Sequence, residues 1–220
     1  VPLTPATLST TVTKKIAGMF GDVASTLNSY GNNVNVLAHM SAPATNFLYT
    51  ALQSNDDVFE MLMVDNSLAP YAMADLENTN TMFLINRTTP TFQSFTWDPA
   101  TMTVTKPGKV YDGYNPTSRA WYQDGLKFGS QAGVGELGAV YGSPIAIYHM
   151  SRSYAATVGA ASVTGVLSAF VTTTRITNSL QAALGNSGAL GLVYESASGK
   201  VVATSWKQSV ADYTHYDPAS

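Results

Sequence analysis

Residues 114–122 read "YNPTSRAWY", and the chain continues "QDGLKFG". One arginine, Arg119, stands among Tyr114, Trp121 and Tyr122 in a chain whose charged residues make up only 11%. So isolated a cation needs a reason. A guanidinium offers parallel N–H donors that match a carboxylate, and flanking ring faces exclude water and strengthen the pair. Indole N–H and phenol O–H groups add oriented donors beside it. Two readings fit the pattern. Either Arg119 receives a small planar anion, or Trp121 and Tyr122 anchor a core while Arg119 reaches solvent. Pro116 suits an early helical position, so residues 115–128 are expected to be helical. Arg119 and Tyr122, three apart, would then share a face.

Past this stretch, "YGSPIAIYHMSRSYA" (141–155) reads as a strand, followed by a bend near Gly159 and a second strand, "ASVTGVLSAFVTTT" (161–174). "TRITNSLQAAL" (174–184) is an amphipathic helix through Ile176, Leu180 and Leu184, stopped by "GNSG" because glycine takes the left-handed cap at low cost. A hairpin follows, "ALGLVYE" and "KVVATS" around "SASG".

On the N-terminal side, Val12, Ile16, Met19, Val23, Leu27, Tyr30, Val34 and Leu37 recur at spacings of three and four, one stripe of a long helix. Thr4 or Thr7 would cap it, with Pro5 in its first turn, and a break near Gly31 into two helices is the alternative. Residues 45–53 form a second helix. The runs "VFEMLMVD" (58–65), "TMFLINR" (81–87) and "TFQSFTW" (91–97) read as strands, with Pro90 as a turn signal. The order predicts an α+β fold of antiparallel sheet and segregated helices.

The composition excludes several function classes. Cysteine is absent, which removes disulfides, thiolate metal sites and cysteine nucleophiles. The formal net charge is −3 and the basic residues cluster nowhere beyond Lys14-Lys15, so neither nucleic acid nor an anionic membrane surface is expected as a partner. No apolar run is long enough to span a bilayer. The abundance of Thr, Ser, Asn and Ala has the flavour of exported proteins, and the two ends read as those of an excised piece of a longer protein.

The spacing Tyr, four residues, Arg, one residue, Trp-Tyr resembles the signature of the double Cache (dCache) domains, the ectodomains of many chemoreceptors, sensor kinases and cyclases. Tyr114, Arg119, Trp121 and Tyr122 match every position of it. The likeness extends over residues 4–205. "YGSPIAIYHMSRSY" resembles the following strand of that family, "GVLSAFVTTTRITNSL" its strand-to-helix crossover, and "GNSGALGLVYESASGKVVATS" the opening hairpin of its second module.

The resemblance implies a long N-terminal helix with two stacked PAS-like antiparallel-sheet modules. Residues 1–57 would hold the N-terminal helices, 58–184 the membrane-distal, ligand-binding module, and 185–220 the start of a membrane-proximal module that is either truncated or continued in further sequence. It further implies a sensor on the periplasmic or extracellular face of a membrane, attached through segments outside this chain. The helix stripe suits a homodimer or packing on the chain's own sheets.

Carried over position by position, Arg119 and Trp121 would hold a ligand carboxylate, with Tyr114, Tyr122 and Tyr141 lining the pocket. The resemblance places acidic residues for a ligand ammonium at two further positions, which here are Phe170 and Ser143. Both departures remove negative charge, and an unpartnered buried ammonium costs several kcal/mol. The expected ligand is therefore a small carboxylate or other hydrogen-bonding molecule with an apolar or aromatic portion facing Phe170, not an ordinary α-amino acid. An adhesion or structural ectodomain that keeps the fold without a ligand is the alternative.

Other signals add no chemistry. "GVGELG" (133–138) has the letters of a dinucleotide fingerprint but no preceding strand, and reads as a flexible loop near the ligand mouth. His39, His149 and His215 are isolated, so no metal site is expected, and no cofactor either. Asn86-Arg87-Thr88 is a lone glycosylation-type triplet, and Asp56-Asp57 reads as a turn or cap. No nucleophile elbow or P-loop supports an enzyme.

Overall fold

The computed structural model describes residues 4–33, 43–53, 55–65, 71–74, 81–86, 91–98, 100–101, 103–158 and 160–206. Expectations that fall on Val34, Leu37, His39, Arg87, Thr88, Pro90, Gly159 and His215 lie outside the described residues. The chain divides into two compact units: Asp22–Val171, and Val1–Gly21 with Thr172–Ser220.

Helix α1 (Pro5–Asn32) is continuous through Gly18 and Gly21. Thr4 caps it, its Oγ1 accepting from the Thr7 N–H at 3.2 Å, with Pro5 at the position where a missing N–H is harmless. Its stripe is the expected one, with Met19, Val23 and Leu27 fully buried. The helix ends just past Gly31, and Arg152 explains why. That side chain donates to the Asn28 carbonyl at 2.8 Å and to Asn32 Oδ1 at 3.1 Å, placing a cation on the last turn. A Cβ on Gly31 would stand 2.5 Å from Arg152 Cζ, so glycine is required for the approach. Helix α2 (Pro43–Gln53) follows. No described helix is long and apolar enough to cross a membrane.

The unit Asp22–Val171 is built on one eight-stranded sheet in the order β5-β4-β3-β2-β1-β8-β7-β6. The meander β1 (Glu60–Asp65), β2 (Tyr71–Ala74), β3 (Thr81–Asn86), β4 (Thr91–Asp98) and β5 (Thr103–Asp112) forms one half. β6 (Gly133–Ala139), β7 (Ala146–Val158) and β8 (Ala161–Thr172) form the other, and the halves meet where β1 pairs antiparallel with β8. Helix α3 (Ala120–Phe128) lies in the connection that carries the chain from the β5 edge to the β6 edge.

Strand alternation sorts the side chains of this central seam onto two faces. On β7, Arg152 meets α1, while His149 and Ser151 turn to the face that α3 covers. Gly125 of α3 sits so close to the sheet that a Cβ there would collide with Val166 and crowd Ser151. The Ser151 and Ser168 hydroxyls hydrogen-bond at 2.8 Å between neighbouring strands on this face.

Three strands escape the sequence pattern. β2 is four residues long, and β5 carries Pro107, Gly108 and two lysines, all acceptable because β5 is an edge strand with bulged pairing to β4. β6 corrects the expected flexible loop: "GVGELG" is a strand paired with β7. Its glycines answer to packing, since Cβ atoms at Gly133 and Gly135 would strike the Phe128 ring and the His149 imidazole.

In the other unit, α4 (Thr173–Leu184) is capped by Thr172, whose Oγ1 accepts from Arg175 N. It buries Ile176, Leu180 and Leu184, with Ser179 Oγ donating to Met19 Sδ at 3.7 Å. The hairpin of β9 (Leu192–Tyr194) and β10 (Val201–Thr204) forms as the sequence suggests, and Gln181 Nε2 donates to the Ser205 carbonyl at 3.2 Å.

Candidate functional site

The segment 114–122 folds as two short pieces and not as one helix. Asn115 Oδ1 accepts from Thr117 N at 3.1 Å and from Thr117 Oγ1 at 2.8 Å, capping a single 3-10 turn over Pro116–Ser118. Arg119 is then extended, at φ −81° and ψ 146°, and starts α3 from outside: its carbonyl accepts from Tyr122 N and Gln123 N, each at 3.1 Å. Arg119 and Tyr122 therefore do not share a helix face, which corrects the expectation of one helix over 115–128. The break has a use. It frees the Arg119 side chain from the packing direction that buries Trp121 and Tyr122.

A chain of rings receives it. Phe83 stacks on Phe92 at 4.7 Å and Phe92 on Tyr114 at 4.5 Å, while Tyr141 meets Tyr114 edge-on at 4.9 Å. Arg119 Cζ lies 4.2 Å from the centre of the Tyr141 ring and 5.0 Å from that of Tyr114. The Tyr141 hydroxyl donates to the Asp112 carbonyl at 2.9 Å, which fixes that ring against the cation. Arg119 Nε is buried and has no hydrogen-bond partner among the described residues. A guanidinium N–H kept from water without an acceptor is costly, and an arriving oxyanion would relieve it.

Of the residues singled out by sequence, Tyr114, Trp121, Tyr122 and Phe170 are buried in one cluster and Tyr141 packs against it. The Trp121 ring meets that of Tyr122 edge-on, at 5.7 Å between centres, inside the cluster. Ser143 belongs to a turn, its Oγ accepting from Ile145 N at 3.3 Å.

One residue was missed. Glu60, the first residue of β1, is only 3% exposed and is the direct register partner of Phe170. Alternation places it with Leu62 and Val64, the β1 residues of the same aromatic cluster. Burial pushes its carboxyl from 4.5 up to about 8. Among the described residues no hydrogen bond or ion pair reaches that carboxyl. The Tyr114 phenol is pushed far up by its own burial and by the Glu60 charge, while Trp121 and Arg119 pull it back. The signal in the sequence was a single carboxylate inside the apolar run 58–64.

His149 has a structural task. Its Nε2 meets Asp124 Oδ2 at 3.0 Å, and Asp124 also takes Lys127, tying α3 to β7. Burial pushes the imidazole down even though Asp124 pulls it up. No group of three His, Asp or Glu residues suited to a metal occurs among the described residues. In the other unit, an apolar groove of about 810 Å³ runs past Leu8, Val12, Ile16, Leu180 and Leu184, with no charged side chain in its lining.

No protein-family model and no curated protein matches the chain. Solved structures do. The ligand-binding domain of Campylobacter jejuni chemoreceptor Tlp3, in complex with L-norvaline, aligns over 91% of this chain and 67% of its own, with a TM-score of 0.59 at 14% identity. The fold is that of the Cache-type chemoreceptor sensory domains. Its α+β arrangement, a long N-terminal helix with antiparallel sheets, recurs in the Tlp3 sensory domain with isoleucine bound, at a TM-score of 0.55 and 14% identity over 91% of this chain and 68% of that one. The ligand-binding domain of Pseudomonas fluorescens chemoreceptor CtaA, in complex with L-valine, gives 0.53 at 18% identity over 88% and 69%. At such identities the likeness to Cache-type domains is one of fold.

Proposed function

We propose that this chain is the extracytoplasmic ligand-sensing domain of a transmembrane receptor and binds a small carboxylate-bearing molecule at Arg119. The observation that carries the reading is a guanidinium held between the Tyr114 and Tyr141 rings with a buried, unpartnered Nε. Support comes from the fold, since chemoreceptor domains of the same architecture are known in complex with L-norvaline and L-valine. The membrane segments and the output domain lie outside these residues.

Signalling in this reading is a population shift. A ligand joining Arg119 to the strands around Phe170 favours one arrangement of the site over another. Phe170 lies two residues before Thr172, which caps α4, so a change at the ligand is delivered directly to the start of that helix.

A thermal-shift screen of small organic acids and amino acids tests the proposal. A compound at a hundred times its Kd stabilises by about 2.7 kcal/mol, which raises the melting temperature by several degrees. At least one acid is expected to do this to the natural chain and none to Arg119→Ala. A flat response to every acid leaves only a structural or adhesion module.

A further inference from the structure

The sheet of the unit Asp22–Val171 is open, with β5 at one end and β6 at the other. Its two ends nevertheless meet beside Arg119. The turn over residues 140–145, which joins β6 to β7, reaches across to the last residues of β5. The Tyr141 hydroxyl donates to the Asp112 carbonyl at 2.9 Å, and the Tyr141 ring meets that of Tyr111 edge-on at 6.1 Å. Gly142, at φ +71°, lies directly against Tyr111, where a Cβ would stand 2.8 Å from the ring. Among the described residues, the bond from Tyr141 to Asp112 is the one hydrogen bond between this turn and β5.

The turn holds itself together. Ser143 N–H donates to the Val140 carbonyl and Val140 N–H to the Ile145 carbonyl, each at 3.0 Å, and neither bond depends on β5. Its inner side is apolar, with Val140, Tyr141 and Ile145 packed on the ring cluster, whereas Gly142 and Pro144 are exposed. The tie to Asp112 is exposed as well, and such a hydrogen bond is exchanged for one with water at little net cost. Beneath Tyr141 lies the guanidinium, 4.2 Å from the ring centre, with its buried Nε. A ring stacked on the face of a guanidinium leaves the N–H edge available to an oxyanion and shuts water out from above.

We infer that the 140–145 turn is a strap over the Arg119 site, latched by the Tyr141 hydroxyl on the Asp112 carbonyl and lifted when a small acid enters or leaves. The inference rests on the proposed role of Arg119 and adds how that site is reached. With the strap down, Tyr141 covers the ion pair and strengthens it by keeping water away. With the strap up, the guanidinium opens to solvent and the two ends of the sheet are no longer joined.

Chemical access to Arg119 tests this on the full chain without any ligand. Phenylglyoxal modifies guanidinium groups, and peptide mass spectrometry reads the rate at each arginine. Tyr141→Phe keeps the ring and removes the latch. It is expected to speed modification of Arg119 about five-fold, the factor that one exposed neutral hydrogen bond carries. Arg152, 2% exposed and held at the end of α1, is the internal control and should keep its rate. Should Tyr141→Phe fail to fold, Gly142→Ala, whose Cβ drives the turn off Tyr111, serves the same comparison.

An unchanged rate at Arg119 overturns the strap. So does an equal rise at Arg152, which reports a general loosening. Neither result touches the acid-binding role of Arg119, which the thermal-shift screen decides separately. If no acid stabilises the natural chain while Arg119 alone reacts faster in the variant, the strap stands and the acid-binding role falls.

Discussion

Glu60 on β1 lies directly across the ladder from Phe170 on β8, next to the bond in which Phe59 N–H donates to the Phe170 carbonyl at 2.7 Å. Opposed residues on antiparallel strands hold their Cβ atoms about 5 Å apart on one face of the sheet. A buried acid therefore stands one strand away from the apolar residue at position 170.

A pH dependence of stability follows from that burial. The Glu60 carboxyl titrates near 8 in the folded chain against 4.5 when unfolded. Below the unfolded value both states are protonated and the stabilising contribution is fully present. Between the two values the unfolded chain alone releases the proton, so stability falls by up to about 1.4 kcal/mol per pH unit. Glu60→Gln is expected to remove this fall. Melting curves from pH 5 to pH 8 should show the variant gaining steadily on the natural chain, and parallel curves would refute it.

The fit of α3 on the sheet gives a second expectation. At Gly125 a Cβ would collide with Val166 Cγ1 and come within 3.2 Å of Ser151 Cβ. Gly125→Ala is expected to destabilise by about 1–3 kcal/mol in urea unfolding despite the better helix propensity of alanine. Gly138→Ala, where a Cβ meets nothing within 4 Å, is the control and should change stability by less than about 0.5 kcal/mol.

Arg152 closes the last turn of α1 through the Asn28 carbonyl and Asn32 Oδ1. Arg152→Met keeps much of the packing and removes the donors, and is expected to cost about 1–3 kcal/mol. Hydrogen exchange should locate the loss at the α1 end, with faster exchange of amides in the last turn. A uniform change across the sheet would contradict that placement.

The helix interior offers an expectation of the opposite sign. Gly18 and Gly21 lie inside α1 and a Cβ at either meets nothing within 4 Å. Each change to alanine is expected to stabilise by about 0.5–1 kcal/mol, read as a higher midpoint of denaturant unfolding.

What the sequence made legible was what it encodes locally. The stripes of α1 and α4 and the β9–β10 hairpin follow from side-chain period, and Tyr114, Arg119, Trp121 and Tyr122 stand within one short stretch. β5 was hidden because an edge strand tolerates Pro107 and Gly108, residues that break the usual pattern. β6 was hidden because its glycines answer to Phe128 and His149, neighbours that only the tertiary fold supplies. Asn115 and Pro116 made a helical turn at the motif legible, but not that Arg119 would stay extended between two pieces. Glu60 was overlooked for a similar reason. Its importance comes from the pairing of β1 with β8, strands about a hundred residues apart in the chain, and no local periodicity reports that register.

Ligand recognition depends above all on Arg119 receiving an acid. The side-chain 15N–1H resonance of Arg119 Nε, identified by its loss in Arg119→Lys, reads this directly. On saturation with a stabilising acid that resonance is expected to move and its exchange with water to slow. A compound that raises the melting temperature while leaving the Arg119 Nε signal unmoved would place recognition elsewhere and contradict the account.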